Sequence, residues 1–426
     1  LGGNITTTGA QTFTGATTLT GNRTLTGSGI SLDAVTLNGH TLSVAEAGSG
    51  TIGGVISNGS AAGGLTMSGA GTLTLTGTNT YTGATTVSAG ILQIGNGGAT
   101  GTLGNNSAAT IDSGATLKFY RDNTYTIGSV LSGVGDLVFA GTGNTGESTY
   151  NVSTASTGFT GSTLIDSGAR VSITNSSAAL GSSDVTVNAG GQAVAWVNLS
   201  NDFTISGDGW AETINSQLTK LGALRIGQNV TLSGDVTLSN NARITAYGAS
   251  DIGTISGTVS GPYSLEKTGV GSLTLTGENT FDGGLTVSAG TLHIGAGGAA
   301  GSIAVQAVTN NASLVFNRSD NIEFADAISG TGSLTKSGAG VLTLAANNMY
   351  TGTTLIDAGT LEIGSGGTVG TLGTGTVTNN AALVFHRSDD ITVANSISGS
   401  GSVTKSGINT LILTANSAYS GATTID

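Results

Sequence analysis

Arg318-Ser319-Asp320 with Glu323, and Arg387-Ser388-Asp389-Asp390, set carboxylates beside a cation, the grouping that glycan-cleaving enzymes use for acid and base work. Arg121-Asp122 is a third relative. Both full clusters follow a Leu-x-Phe triplet, Leu314–Phe316 and Leu383–Phe385, and one 69-residue step carries the first onto the second. A catalytic group is needed once, whereas a structural group recurs with the architecture. The recurrence therefore predicts corner ion pairs or turn caps. Copies three coils apart, at about 14 Å, are too distant to share one substrate bond.

The remaining reactive types are sparse. Three histidines stand apart: His293 occupies the place of Gln93 and Glu362 in sister segments, His386 that of Asn317 and Tyr120, and His40 lies in LNGHTL beside a turn glycine. None has a second His or Cys at metal-ligand spacing. With no cysteine in the chain, a disulfide framework and a thiolate metal site are both excluded. Lys267, Lys336 and Lys405 keep the same 69-residue step, and the expectation is a solvated strand-end charge that discourages sideways pairing. The runs IGNGGATG, IGAGGAAG and IGSGGTVG, from Ile94, Ile294 and Ile363, invite a phosphate-loop reading. Their spacing is not GxGxxG and no crossover helix follows, so they read as turns. No catalytic, cofactor-binding or metal-ligating residue is assigned, and no cofactor is expected.

The elements that carry these groups are short strands. In LTLTGTNTYTGATTVSAGILQIG, from Leu73, the leucines alternate with threonines, a period of two that places Leu on one face and Thr on the other. Turn glycines close each strand, and aromatic-x-Gly corners recur at Phe13, Tyr81, Phe159, Phe281, Tyr350 and Tyr419. The strings ISGTGSLTKSGAGVLTL from Ile328 and ISGSGSVTKSGINTLIL from Ile397 repeat the 69-residue period, and VSGPYSLEKTGVGSLTL from Val259 is one period earlier. A fixed period of this kind marks one supersecondary unit stacked on itself. The expected fold is all-β: a parallel β-helix, an elongated rod of about 23 residues per coil, three coils to a period.

Composition agrees. Among 426 residues there are 73 Gly and one Pro; 37% are hydrophobic and only 8% charged, which fits neither a disordered nor a collagen-like chain. The net charge of −12 with only 12 Lys and Arg, and no basic run, argues against nucleic acid. No stretch of about 18 apolar residues occurs. Leu1 opens the chain without a basic-then-apolar leader, so an export signal is expected outside it.

Three regions follow: 1–139, a β-helix with repeat copies; 140–258, irregular; and 259–426, regular 69-residue repeats cut short at the C-terminus. The middle region holds Trp196 and Trp210. In AETINSQLTKLG, Ile214, Leu218 and Leu221 lie at i, i+4 and i+7 with Gly222 as a C-terminal cap, which predicts a short helix or loop excursion. It would either pad the core or offer a ligand-contacting bump.

The unit GGLTMSGAGTLTLTGTNTYTGATTVSAGILQIG, residues 63–95, resembles the passenger-associated transport repeat, also called the autotransporter-associated β-strand repeat. Residues 261–295, 330–364 and 399–426 match too, through K-[ST]-G, Leu-x-Leu, aromatic-x-Gly and a closing G-x-L-x-I-G. The lysine is not general, since Met67 stands in its place in the first copy. The resemblance implies a right-handed β-helical autotransporter passenger of the large bacterial adhesin type. Such a passenger is exported by a type V route, lies at the bacterial cell surface in association with the outer membrane, and has a translocator barrel outside this chain. Because Asp426 falls inside a repeat, the chain is expected to be a fragment. The function implied is a non-enzymatic structural or adhesive stalk whose Thr, Ser and Asn face suits shallow contacts with host glycans and proteins. Two rival readings stand beside it. One is a self-assembling extracellular filament or sheath, pairing end to end; the other is a β-helical polysaccharide-degrading enzyme.

Overall fold

The computed structural model describes residues 1–105, 107–143, 148–214 and 217–426. The chain is all-β, with no helix among the described residues. It divides into two compact units, Leu1–Leu224 and Arg225–Asp426, a division that falls within the irregular middle segment.

Each unit is a parallel β-solenoid. In the N-terminal unit, one face stacks Thr41–Glu46, Gly64–Met67, Thr85–Val87, Ala109–Ile111 and Leu131–Gly133. A second stacks Ser49–Ile52, Thr72–Leu75, Ile91–Ile94, Thr116–Tyr120 and Asp136–Ala140. Tyr125–Ile127, Thr149–Val152, Arg170–Ile173 and Gln192–Ala195 lie on the third. The period-two alternation turns one set of side chains inward, and parallel register places like on like. Leu73, Leu92, Leu117 and Leu137 form one column, all fully buried. Each such side chain contributes about 1.5–3 kcal/mol by leaving water. Phe119 and Phe139 stack in the neighbouring column, with ring centroids 5.6 Å apart.

The C-terminal unit resolves what the 69-residue period means. Successive partners on one face are Ser272, Thr291, Ser313 and Ser333, then Thr354, Val377 and Ile397 beyond Leu334. Its turns are therefore unequal, the shortest of these running from Ser272 to Thr291 and the longest from Thr354 to Val377. From Leu265–Thr268 through Ile328–Ser329 the chain lays down ten strands before the pattern restarts at Ser333–Lys336. Three strands make a turn, so a period covers three and a third turns. Equivalent strands therefore fall on different faces: Lys267 pairs with Val287 on one, Lys336 with Ile356 on the next, Lys405 with Phe385 and Ile425 on the third. Dividing the period into three equal coils misses the tenth strand, because two-residue strands such as Ser302–Ile303 and Ile328–Ser329 carry no Leu-x-Leu signal.

Of the short helix or loop excursion expected around Ile214, Leu218 and Leu221, the helix is not formed: Ala211–Ile214 pairs antiparallel with Gln217–Lys220 as a two-stranded hairpin. Gly209 and Gly222 bridge at its neck, where Gly222 takes φ +88°. So short a helix is marginal by itself, whereas two strands satisfy each other's backbone groups. The base of the hairpin is fixed by the Arg170–Glu212 ion pair at 3.2 Å and by Trp210 Nε1, which donates to Gly168 O at 3.1 Å.

Candidate functional site

The structure brings together two motifs that the sequence leaves separate. Each glycine-rich run forms a loop leaving the strand that ends at Ile94, Ile294 or Ile363, and each is gripped by the arginine one turn later. Arg318 Nη1 donates to Gly301 O and Nη2 to Ala299 O at 2.7 Å, while Nε and Nη2 hold Asp320 at 2.8 and 2.6 Å. Arg387 repeats the arrangement on Gly370 O at 3.1 Å, Thr368 O and Asp389. Arg121 does so on Gly101 and Ala99, with Asn123 Oδ1 at 3.0 Å in the carboxylate's place. Only glycine fits the loop's end: Gly301 has φ +97°, and a Cβ there would lie 2.6 Å from Gly295 N. The loop aims carbonyls at a guanidinium rather than amides at an anion, which is the wrong polarity for a phosphate cradle. The Arg318 guanidinium also holds the Asp320 carboxyl below its usual range.

The clasp leaves a gap in the ladder. The segment after each loop, residues 102–105, 302–304 or 371–374, has no backbone hydrogen bond to the strand one turn on among the described residues. Those strands are Tyr125–Ile127, Ile322–Phe324 and Ile391–Val393. Side chains span the third gap, with Arg387 at one end and Asn395 at the other; Asn395 Nδ2 donates to Gly373 O at 2.7 Å and Gly375 O at 2.6 Å. Between them opens a cavity of about 380 Å³, lined by Ile363, Leu372, Phe385, Arg387, Ile391 and Val393.

The three periodic lysines are not solvated. Lys267 is fully buried, Lys336 and Lys405 nearly so. Lys267 Nζ donates to Gly269 O at 2.7 Å, Gly271 O at 2.5 Å and Ala289 O at 2.7 Å, and burial lowers its pKa to about 8. Lys336 caps Gly338 and Ala358 in the same way, and Lys405 caps Gly407. The sequence carries the signal: in Leu265-x-Lys267 the lysine has the parity of a core leucine, as Met67 does after Leu65.

Sequence reasoning missed the opposite charge. Glu46 is fully buried and accepts from the amides of Gly29, Ile30 and Gly48 at 2.6–2.8 Å. Buried corner asparagines do the same work without charge. Asn279 accepts from Val259 N at 2.9 Å and donates to Ser302 O at 2.7 Å, and Asn79 and Asn348 repeat this. At the tyrosine corners, Tyr81, Tyr350 and Tyr419 each share a hydrogen bond of 2.7–2.8 Å with the threonine four residues on.

The histidines stay apart. His386 Nδ1 lies 2.9 Å from Glu362 Oε1, whose other oxygen accepts from Thr343 Oγ1 at 2.8 Å. Both partners meet the same carboxylate, so no hydroxyl is poised on the imidazole. His293 stands in a column with Thr274 and Val315, its pKa lowered by burial and by Lys267. His40 lies at a turn, its amide bonded to Leu37 O. No group of three metal-capable side chains occurs among the described residues.

The recurring lysines, arginines and corner asparagines of this solenoid satisfy the carbonyls of its own turns, as groups in a structural repeat do. The model of the passenger-associated transport repeat matches residues 65–94, 265–294, 334–363 and 403–426. It is 33% identical over 199 residues to the adhesin BmaC autotransporter of Brucella suis biovar 1 (strain 1330), a match covering 42% of this chain and 6% of that relative. No solved structure matches.

Proposed function

We propose that this chain is a segment of an adhesive autotransporter passenger. It is carried out by a type V route, stands outside the outer membrane, and depends on a translocator domain in that membrane. The observation that carries the reading is the coincidence of four passenger-associated transport repeats with stacked solenoid turns. Its mechanism is geometric. Buried columns and backbone ladders make a stiff scaffold, and outward positions such as Thr74, Gln93 and Lys118 present a weakly charged polar strip to glycans or proteins. The reading includes no catalysis, because the carboxylates nearest to arginines are engaged as turn clasps.

The test is display. The chain is placed between an export signal and a translocator barrel in a Gram-negative host, and intact cells are treated with protease and assayed for adherence to glycan and matrix-protein arrays. Surface cleavage with a gain of adherence over the barrel alone is expected. Retention inside the cell, or display with no gain, would overturn the proposal; turnover of a polysaccharide lost on Asp320→Asn would favour an enzyme.

A further inference from the structure

The gap beside Tyr125–Ile127 differs from its counterpart beside Ile391–Val393 at three polar positions. Where the third copy has Asn347, whose Oδ1 accepts from Gly370 N at 3.0 Å, the first has Thr78. Where the third has Asn395, which spans the gap to Gly373 O, the first has Ser129, whose side chain makes no such crossing. The exposed Met349 is Thr80 in the first copy. Groups that fasten or cover one gap are short hydroxyls in the other.

These hydroxyls surround a cavity of about 450 Å³, within the size range of small-ligand sites. Thr78, Thr80 and Ser129 line it together with Asn105, and none of the four side chains forms a hydrogen bond among the described residues. Ser129 is only 4% exposed, so what enters the cavity is what can meet its hydroxyl. The remaining wall is apolar: Leu103, and the part of the Tyr125 ring left uncovered by Arg121, 4.7 Å from its centroid, and by Phe119, 5.8 Å away. No charged side chain lines the space. Hydroxyls and a carboxamide both donate and accept, which suits a neutral ligand whose own groups do both. An anion asks for donors alone and a cation for acceptors. Hydroxyls around a rim and a face of C–H groups describe a sugar in its ring form.

We propose that this slot holds one uncharged pyranose ring of a surface glycan, its C–H face on Leu103 and Tyr125 and its hydroxyls on Thr78, Thr80, Asn105 and Ser129. The proposal rests on the adhesion reading and gives it a defined site in the N-terminal unit.

The test uses the whole chain in solution, where export and display play no part. Methyl pyranosides of glucose, galactose, mannose and N-acetylglucosamine are titrated into chain labelled with ¹⁵N-leucine, with the Leu103 amide resonance as readout. Methyl glucuronoside and sorbitol serve as the charged and the open-chain comparison. A saturable shift with at least one neutral pyranoside is expected, with both comparisons at least tenfold weaker. Thr80→Met combined with Ser129→Asn, which copies the third gap, should lower that affinity at least tenfold and leave the melting temperature equal or higher. If the pair does not fold, Thr80→Met alone, at an exposed position, should still lower it at least threefold. No saturable shift with any pyranoside, equal binding of sorbitol or the glucuronoside, or unchanged binding by the variants would overturn the proposal. Such a failure with adherence of displayed cells intact sinks the slot alone, whereas sugar binding without adherence sinks the adhesion reading instead.

Discussion

Lys267 keeps an ammonium group inside an aliphatic interior by giving its three protons to three carbonyls. Its pKa near 8 in the folded chain, against an ordinary 10.5, fixes a sign. Between those values the unfolded chain binds the proton and the folded chain releases it, so stability rises with pH from about 8 toward 10. Above pH 10 the buried Tyr81, Tyr150 and Tyr350, whose hydroxyls are pushed up, work the other way, because the unfolded state ionises first. Urea midpoints measured from pH 7 to 11 should pass through a maximum near pH 9–10. In Lys267→Met, which imitates the buried Met67 of the first copy, the rise above pH 8 should shrink. An unchanged profile would show that the ammonium is hydrated after all.

At the scale of the strand and its turns, the arginine clasp replaces ladder hydrogen bonds with guanidinium bonds across the gap. Arg387→Gln strips four charge-assisted bonds, one each from Gly370 and Thr368 and two from Asp389, each worth about 1.5–3 kcal/mol. A loss of at least about 2 kcal/mol is expected. Amide exchange should quicken at residues 365–374 and stay slow on the face of Leu334, Thr354 and Val377. This element also marks the limit of what the sequence discloses. The alternation in Leu73–Leu75 and the corners at Tyr81 and Tyr350 reveal strands, turns and inward faces, since they obey a period of two. The arginine and glycine runs recur visibly, but the turn lengths that bring Arg318 onto Gly301 depend on counting strands as short as Ser302–Ile303. The hairpin at Ala211–Lys220 escaped because three apolar residues at helical spacing cannot outweigh the reciprocal bonding of two adjoining strands.

At the scale of the whole chain, stability is a sum over neighbouring turns, and a copy can be removed without a new kind of contact being needed. Deletion of residues 265–333 sets the lysine of the next copy, Lys336, where Lys267 stood, on a face that already accepts one. That variant should fold and unfold cooperatively, with a denaturant m-value reduced in proportion to the surface lost. Deletion of residues 265–327, three whole turns, keeps each later strand on its face but joins unlike repeat positions, and should be markedly less stable. Equal stability of the two would mean that the copies are interchangeable turn by turn.

The extra third of a turn in each period makes the C-terminal unit a spiral staircase. A mark written once per copy appears on three sides in succession, advancing about 16 Å with each step. A flat neighbour lying along one side of a tandem array would meet that mark only at every third step, about 48 Å apart. A partner that winds around the shaft would meet all of them.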